Sequence, residues 1–419
     1  MKKLNNIMMC FMSLLMVCCS QDSLSDIEVK ETNKKEIQNK GSLKENKGFI
    51  IRYNVGTTDE EKTIIRSEYG VETYKQCSCF DEELELWNFA QSLEQTVIEE
   101  KKNTASDDPD LDGLGDNDQI QVQNNIFGAD FLNGNLNQAL SLQVDQNENV
   151  TIAILDTGVN YIEGGFTEPF LYNNRKNEQC ETMGSQDFFG WDFVNGDNDP
   201  YDDNNHGTYM ARIINDNLKE KNIPHQLLIV KVFDEEGKTD VFTILCGLKY
   251  ILSKPDVDII NMSFGIYSYQ ELFDRFLGDS IDKTLIVTSA GNEENNNDFL
   301  PHYPSSYDHE NILAVAGLKD ILEENIESQN NANLLAWYSN YGVNSVDVAA
   351  PSENYSFVIN GQNLTAQGTS FSSAFATYKS AELYTNNMHP ITLKNIVINN
   401  SVVFASGLET IKYRSALLD

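Results

Sequence analysis

The sequence predicts an α/β fold, a mostly parallel sheet with helices on both faces, preceded by a small α+β unit. Three observations carry that prediction. From residue 150 onward, short apolar runs alternate with helix-like stretches. Those runs read as buried strands, which is what a sheet covered on both faces requires. Ahead of them, residues 48–105 show a separate strand, helix and strand pattern of their own.

The strands are expected at Val150–Leu155, Leu227–Val232, Val257–Asn261, Leu285–Ser289, Ile312–Ala316 and Val346–Ala349, with a helix over Phe242–Leu252 between two of them. In the smaller unit, Phe49–Tyr53, Val71–Lys75 and Leu84–Phe89 read as strands. Thr58–Tyr69 reads as a helix capped by Thr57 or Thr58, with acids in its first turn. Residues 106–120 are acidic and Gly-containing without an apolar period, so they are expected as a linker. Residues 121–419 then form the main domain, and no internal repeat is visible.

Residues 1–19 read as a targeting signal. Lys2 and Lys3 precede an apolar run from Ile7 to Val17, too short for a membrane-spanning helix. The run ends at Cys18 and Cys19, and Leu15–Cys18 resembles a bacterial lipobox, so either cysteine is a candidate for lipidation. Any membrane attachment is expected only through that lipid. Residues 20–47, rich in Lys, Glu, Asn and Ser, read as a flexible tether.

Asp and Glu total 64 against 30 Lys and Arg, a net charge of −34 that would repel phosphate backbones and excludes nucleic acid as a partner. The spacing of Cys77, Cys79, Cys180 and Cys246 defines neither a disulfide framework nor a zinc site. These cysteines are expected as small buried or free thiols.

Three motifs carry the chemistry. Asp156-Thr157-Gly158 follows the first buried strand, His206-Gly207-Thr208 opens a helical run, and Gly368-Thr369-Ser370 opens another. A serine hydroxyl is a weak nucleophile at neutral pH. It needs an imidazole to take its proton and a carboxylate to hold that imidazole in the right tautomer. A fourth residue, Asn292 in Ser289-Ala290-Gly291-Asn292, can donate its amide to a developing oxyanion. Asp-Thr-Gly also marks aspartic proteases, but those need two paired carboxylates and no second copy occurs.

The order Asp, His, Asn, Ser with these flanks resembles the subtilase family of serine proteases. Ile260-Asn261-Met262-Ser263-Phe264-Gly265, Tyr338-Ser339-Asn340-Tyr341-Gly342 and Val346-Asp347-Val348-Ala349-Ala350-Pro351 are similar to further family motifs. The resemblance covers residues 120 to 415 and implies a subtilisin-like fold and a secreted or surface-anchored serine endopeptidase acting through an acyl-enzyme on protein or peptide substrates. It also implies that Ser263, Phe264 and Gly265 pair with the substrate backbone, that Ala290 and Gly291 line the specificity pocket, and that residues 48–105 are a propeptide. The alternative is a catalytically inactive relative serving as a surface binding protein. Two positions depart from the family. Ala374 stands where a proline is usual, and Arg212 stands where a glycine is usual, a change expected to disturb the packing of its helix.

Two acidic stretches are candidate calcium loops, with calcium in a structural role only. Asp108, Asp110, Asp112 and Asp116 alternate with other residues around Gly113. Asp197, Asp199, Asp202 and Asp203 crowd into seven residues before His206, where some subtilases bind calcium.

Overall fold

A computed structural model describes residues 47–77, 83–122, 126–127, 150–161, 171–172, 189–320, 333–359 and 362–418. The targeting segment with Cys18 and Cys19, the tether through residue 46, and Cys79 and Cys180 lie outside these residues.

The N-terminal unit runs β1 (Gly48–Tyr53), α1 (Asp59–Tyr69), β2 (Thr73–Gln76), β3 (Leu84–Asn88), α2 (Gln95–Ser106) and β4 (Leu111–Asp116). Its strands form one antiparallel sheet in the order β2-β3-β1-β4. Thr58 caps α1 in a reciprocal box with Glu61, and Gly70 closes it in the left-handed region. Side chains alternate across the sheet. Phe49, Ile51, Tyr53 and Trp87 pack under α1 and α2, while Ile50, Leu84 and Leu86 face the main domain.

The stretch expected as an acidic linker thus holds a strand. β4 pairs with β1, and its acids are neutralised by tertiary partners. Asp112 meets Arg52 at 3.3 Å and Arg275 at 2.9 Å, and Asp116 meets Lys102 at 2.6 Å. Helix α2 was not foreseen either, because only Ile98 and Ala105 of it are buried.

The chain continues through β5 (Gln119–Gln121), β6 (Ile126–Phe127), β7 (Val150–Asp156), β8 (Gly190–Asp192), α3 (His206–Glu220), β9 (His225–Lys231), β10 (Lys238–Asp240), α4 (Val241–Ser253), β11 (Ile259–Met262), α5 (Glu271–Gly278), β12 (Leu285–Ser289) and β13 (Ile312–Leu318). It ends with β14 (Val348–Pro351), β15 (Tyr355–Ile359), β16 (Gln362–Ala366), α6 (Thr369–Leu383), α7 (Pro390–Asn399), β17 (Val402–Val403) and β18 (Ser415–Ala416). The central sheet has the order β17-β18-β14-β13-β12-β11-β7-β9-β8 and is parallel except at the β17–β18 edge. The mostly parallel α/β architecture expected from the sequence is the one observed.

Both faces of this sheet are covered. Ile152, Ile154 and Ile229 share a core with α3, α6 and α7, whereas Ala153, Leu155 and Val230 share one with α4 and α5. Chain order reverses between β7 and β11, since β8 and β9 extend one way and β11 onward the other. Open parallel sheets gather reactive groups at the carboxyl ends of strands flanking such a switch point. Asp156 ends β7 and Ser263 follows β11 directly.

The expectation of free or merely buried thiols fails. Cys77, at the end of β2, and Cys246, on α4, form a disulfide joining positions 169 residues apart. The link joins the N-terminal sheet to the main domain, and local spacing carries no trace of so distant a pairing. Among the described residues, no helix is long and apolar enough to cross a membrane.

Candidate active site

The site begins with close packing. Helix α3 starts at His206, against the end of β7. A Cβ on Gly207 would lie 2.3 Å from the Gly158 carbonyl oxygen and 3.2 Å from Asp156 Oδ1, so only glycine permits this approach. His206 Nδ1 lies 2.7 Å from Asp156 Oδ1, and that oxygen also accepts the Thr157 N–H at 2.7 Å. Both side chains are buried. The second imidazole nitrogen, Nε2, has no hydrogen-bond partner.

Asp202 ties this corner together from behind. Its Oδ1 accepts from Thr157 Oγ1 and from the backbone N–H groups of Asn204 and Asn205 at 2.8–2.9 Å. Its Oδ2 accepts both the N–H and the hydroxyl of Thr208. Thr157 Oγ1 in turn accepts the Gly207 N–H at 2.8 Å. The threonines of the two motifs therefore hold strand end and helix start in register. Buried Lys231 sits alongside, donating to the Thr157 and Phe233 carbonyls and to Asp203.

Burial alone would lower the His206 pKa. The adjacent Asp156 carboxylate, by charge and by hydrogen bond, and Asp202 beyond it more than reverse that, so the pKa is raised. Asp202 itself is raised, chiefly by burial.

Ser370 occupies the first turn of α6, which packs against α3. The Ser370 hydroxyl donates to the Ser263 carbonyl at 3.1 Å. Asn292 is fixed by its acceptor end, since Oδ1 takes the N–H and hydroxyl of Thr369 at 2.8 and 2.9 Å. That leaves the Nδ2 donor end available. The loop carrying Asn292 turns at Gly291, where φ is +109° and a Cβ would meet Asn340 Nδ2 at 2.3 Å. Asn340 holds the same loop, accepting from Glu293 and Asn295 N–H groups at 2.9 Å.

Around Ser370, Ser263 follows β11 and Ala290 and Gly291 follow β12. Phe264 packs against Phe233, and Gly265 lies against His302. Arg212, expected to disturb α3, instead turns outward and pairs with Asp216 at 2.7 Å one turn on. Ala374 is fully buried within α6.

Several carboxylates of the two candidate calcium loops have protein partners. Asp202 is saturated by five protein donors and Asp203 pairs with Lys231. Asp199 accepts the Tyr161 hydroxyl, and Asp197 accepts the Asp199 N–H at 3.0 Å. In the other stretch Asp108 accepts from Tyr69 and from the Asp110 N–H. Among the described residues no group of three or more His, Cys, Asp or Glu side chains is gathered around one point. The roles of Thr157, Lys231, Thr369 and Asn340 were not foreseen, although three of these residues stand inside quoted motifs.

The sequence is 27% identical over 254 residues to "Thermophilic serine proteinase" of Bacillus sp. (strain AK1), covering 59% of this chain and 55% of that protein. It is 29% identical over 205 residues to "Cell wall-associated protease" of Bacillus subtilis (strain 168), covering 47% of this chain and 21% of the relative. The "Halolysin-like extracellular serine protease Nep" of Natrialba magadii is 25% identical, covering 68% and 50%. The matches thus span between about a fifth and about half of these relatives. A solved structure described as a cold adapted subtilisin-like serine proteinase aligns at 20% identity with a TM-score of 0.47, covering 68% of this chain and 95% of that one. The sequence model of the Subtilase family matches residues 147–413, more than half of the 419 residues, and the chain belongs to that family.

Proposed function

We propose that this chain is an exported serine endopeptidase that hydrolyses peptide bonds through an acyl-enzyme on Ser370. The observation that carries this reading is His206, held by Asp156 at 2.7 Å on one nitrogen and unpartnered on the other, on a helix packed against that of Ser370. In the reaction, Ser370 Oγ turns from the Ser263 carbonyl, gives its proton to His206 Nε2 and attacks the substrate carbonyl carbon. The charge on the imidazolium is offset by Asp156 across the Nδ1–H bond. Asn292 Nδ2 donates to the oxyanion, and losing one such donor costs about 10²–10³ in turnover in a related subtilisin. The imidazolium then protonates the leaving amine, and water, deprotonated by His206, releases the acyl group. Ser263 to Gly265 offer backbone groups to an extended substrate.

The N-terminal unit reads as a propeptide. The chain's own β5 lies antiparallel on β10, and Val122 N–H donates to the Gly237 carbonyl at 2.9 Å. Ile120 and Val122 are buried in the same core as Phe264. A few residues on, β6 pairs with β16, the strand leading to Ser370. This arrangement supports seating of the chain's own segment as a substrate would sit, and maturation by cleavage between about Thr104 and Asn125. Export is supported by the Lys2–Cys19 pattern and by a disulfide, which persists in oxidising compartments.

The test is hydrolysis of a peptide substrate together with labelling by a fluorophosphonate, comparing wild type with Ser370→Ala. Wild type should react with both and the variant with neither, with turnover down by about 10⁶ on the scale of a related subtilisin. An unlabelled wild-type protein would favour a silent surface-binding role instead.

A further inference from the structure

The Cys77–Cys246 disulfide takes no part in hydrolysis. It crosses from β2 of the N-terminal unit to α4 of the main domain, so any cut between those positions leaves two chains joined through it. We propose that this disulfide retains the N-terminal unit as a covalent inhibitor after the chain is cut, and that full activity requires its reduction by a thiol. The proposal rests on the peptidase reading above.

Three features support it. The non-covalent contact between the units is itself specific. Arg52 lies over the Phe276 ring at 5.2 Å, Arg275 pairs with Asp112, and the Ile50, Leu84 and Leu86 face packs into the main core. A severed unit therefore keeps a shape that fits. Next, the disulfide adjoins the β5–β10 strand pair, which the reading above takes as the seat of the chain's own segment. One cavity of about 430 Å³ is lined by Cys77, Cys246, Gln119 and Lys238, the last two belonging to β5 and β10. Finally, Cys77 is only partly buried and lines that cavity, which gives a small thiol a route to the bond.

The physical consequence is one of concentration. A tether holds a ligand at an effective concentration on the order of 1 mM, about 10⁵ above a free partner at roughly 10 nM. Dilution that empties a free inhibitor from the cleft leaves a tethered one in place. Reduction proceeds by thiol–disulfide exchange. A thiolate of a small dithiol attacks one sulfur and forms a mixed disulfide, and the other sulfur leaves as a thiolate and takes a proton. The second thiol of the reductant then displaces the remaining cysteine. Two electrons pass from the dithiol, which ends as its own disulfide, to the protein, which ends with two thiols.

The experiment uses the full chain matured under oxidising conditions. On a denaturing gel without thiol the fragments should migrate together, and with dithiothreitol they should separate. At roughly 10 nM protein, peptide hydrolysis should rise about tenfold or more after dithiothreitol. Cys77→Ser should show the raised rate without thiol and ignore thiol thereafter. If that variant does not fold, wild type reduced and then alkylated at both cysteines must reach the raised rate. Fragments that part without thiol overturn the proposal, as does a wild-type rate that thiol leaves unchanged. The tether is also read without activity, in Ser370→Ala carrying a recognition sequence for an added endopeptidase between residues 131 and 149. Its two pieces must stay joined until reduced. An active, thiol-indifferent enzyme refutes the gate alone. Wild type and Cys77→Ser that hydrolyse nothing in any arm refute the peptidase reading, and the gate with it.

Discussion

Gly207→Ala should cripple hydrolysis while leaving the protein folded. The new methyl would sit 2.3 Å from the Gly158 carbonyl oxygen, where ordinary contact begins near 3.4 Å. The neighbour is backbone, so the start of α3 must retreat by about 1 Å, the difference between the two distances. His206 is the adjacent residue, and its 2.7 Å bond to Asp156 would stretch past hydrogen-bonding range. A misplacement of about 1 Å in a catalytic group costs roughly 10²-fold in rate. Overpacking of this kind costs about 1–3 kcal/mol, or a fall in Tm of roughly 2–12 °C for a domain of this size. The assay is steady-state hydrolysis well below Tm, with the fluorophosphonate labelling rate read in parallel. KM should hold nearly constant, because Ser263 to Gly265 are untouched, and kcat and the labelling rate should fall together. A variant within about threefold of wild type in both would show that the helix start absorbs a methyl, and the close-packing account of the Asp156–His206 pair would be wrong.

The pH profile offers a second check. Hydrolysis needs neutral His206, and its pKa is raised above the ordinary value of about 6.5, so the acid limb of kcat/KM should lie above pH ~6.5. The linked stability has the opposite sense: a raised folded pKa stabilises most below about 6.5, and that contribution is lost as pH rises through the folded value. An acid limb below about 6.5 would contradict the electrostatic account. Separately, metabolic labelling with a fatty-acid probe should tag wild-type protein and miss the Cys18→Ala, Cys19→Ala double variant, and label persisting in that variant would remove the lipid anchor.

The legible parts of this molecule are those whose physics is local. Strands β7, β9, β11, β12 and β13 announce themselves because both faces are buried, so apolar residues fill consecutive positions instead of alternate ones. The ordered motifs are legible because each reactive group sits beside the small residues its close packing needs, as Gly207 shows. Strand β4 is not, because Leu111–Asp116 carries acids and glycines that look solvated until Arg52, Lys102 and Arg275 are brought to them. Its glycines serve the same contact, since a Cβ on Gly113 would collide with Leu272. The disulfide is beyond sequence reasoning for the same cause, because its two ends are related only by the docking of one unit on another.

Asp202 shows most sharply where local reading stops. Four carboxylates between 197 and 203 look like a cation site, because in an unfolded segment nothing else could offset their repulsion. Folding supplies other partners. Lys231 takes Asp203, Tyr161 takes Asp199, and Asp202 turns inward. A carboxylate has about four lone-pair sites, and five donors here converge on two oxygens, so a cation would have to displace hydrogen bonds already made. Those donors come from Asp156-Thr157-Gly158, from the turn before His206, and from the first turn of α3. The Asp202 carboxylate therefore does positioning work. It fixes the strand end that carries Asp156 to the helix start that carries His206, and its negative charge adds to that of Asp156 in raising the imidazole pKa.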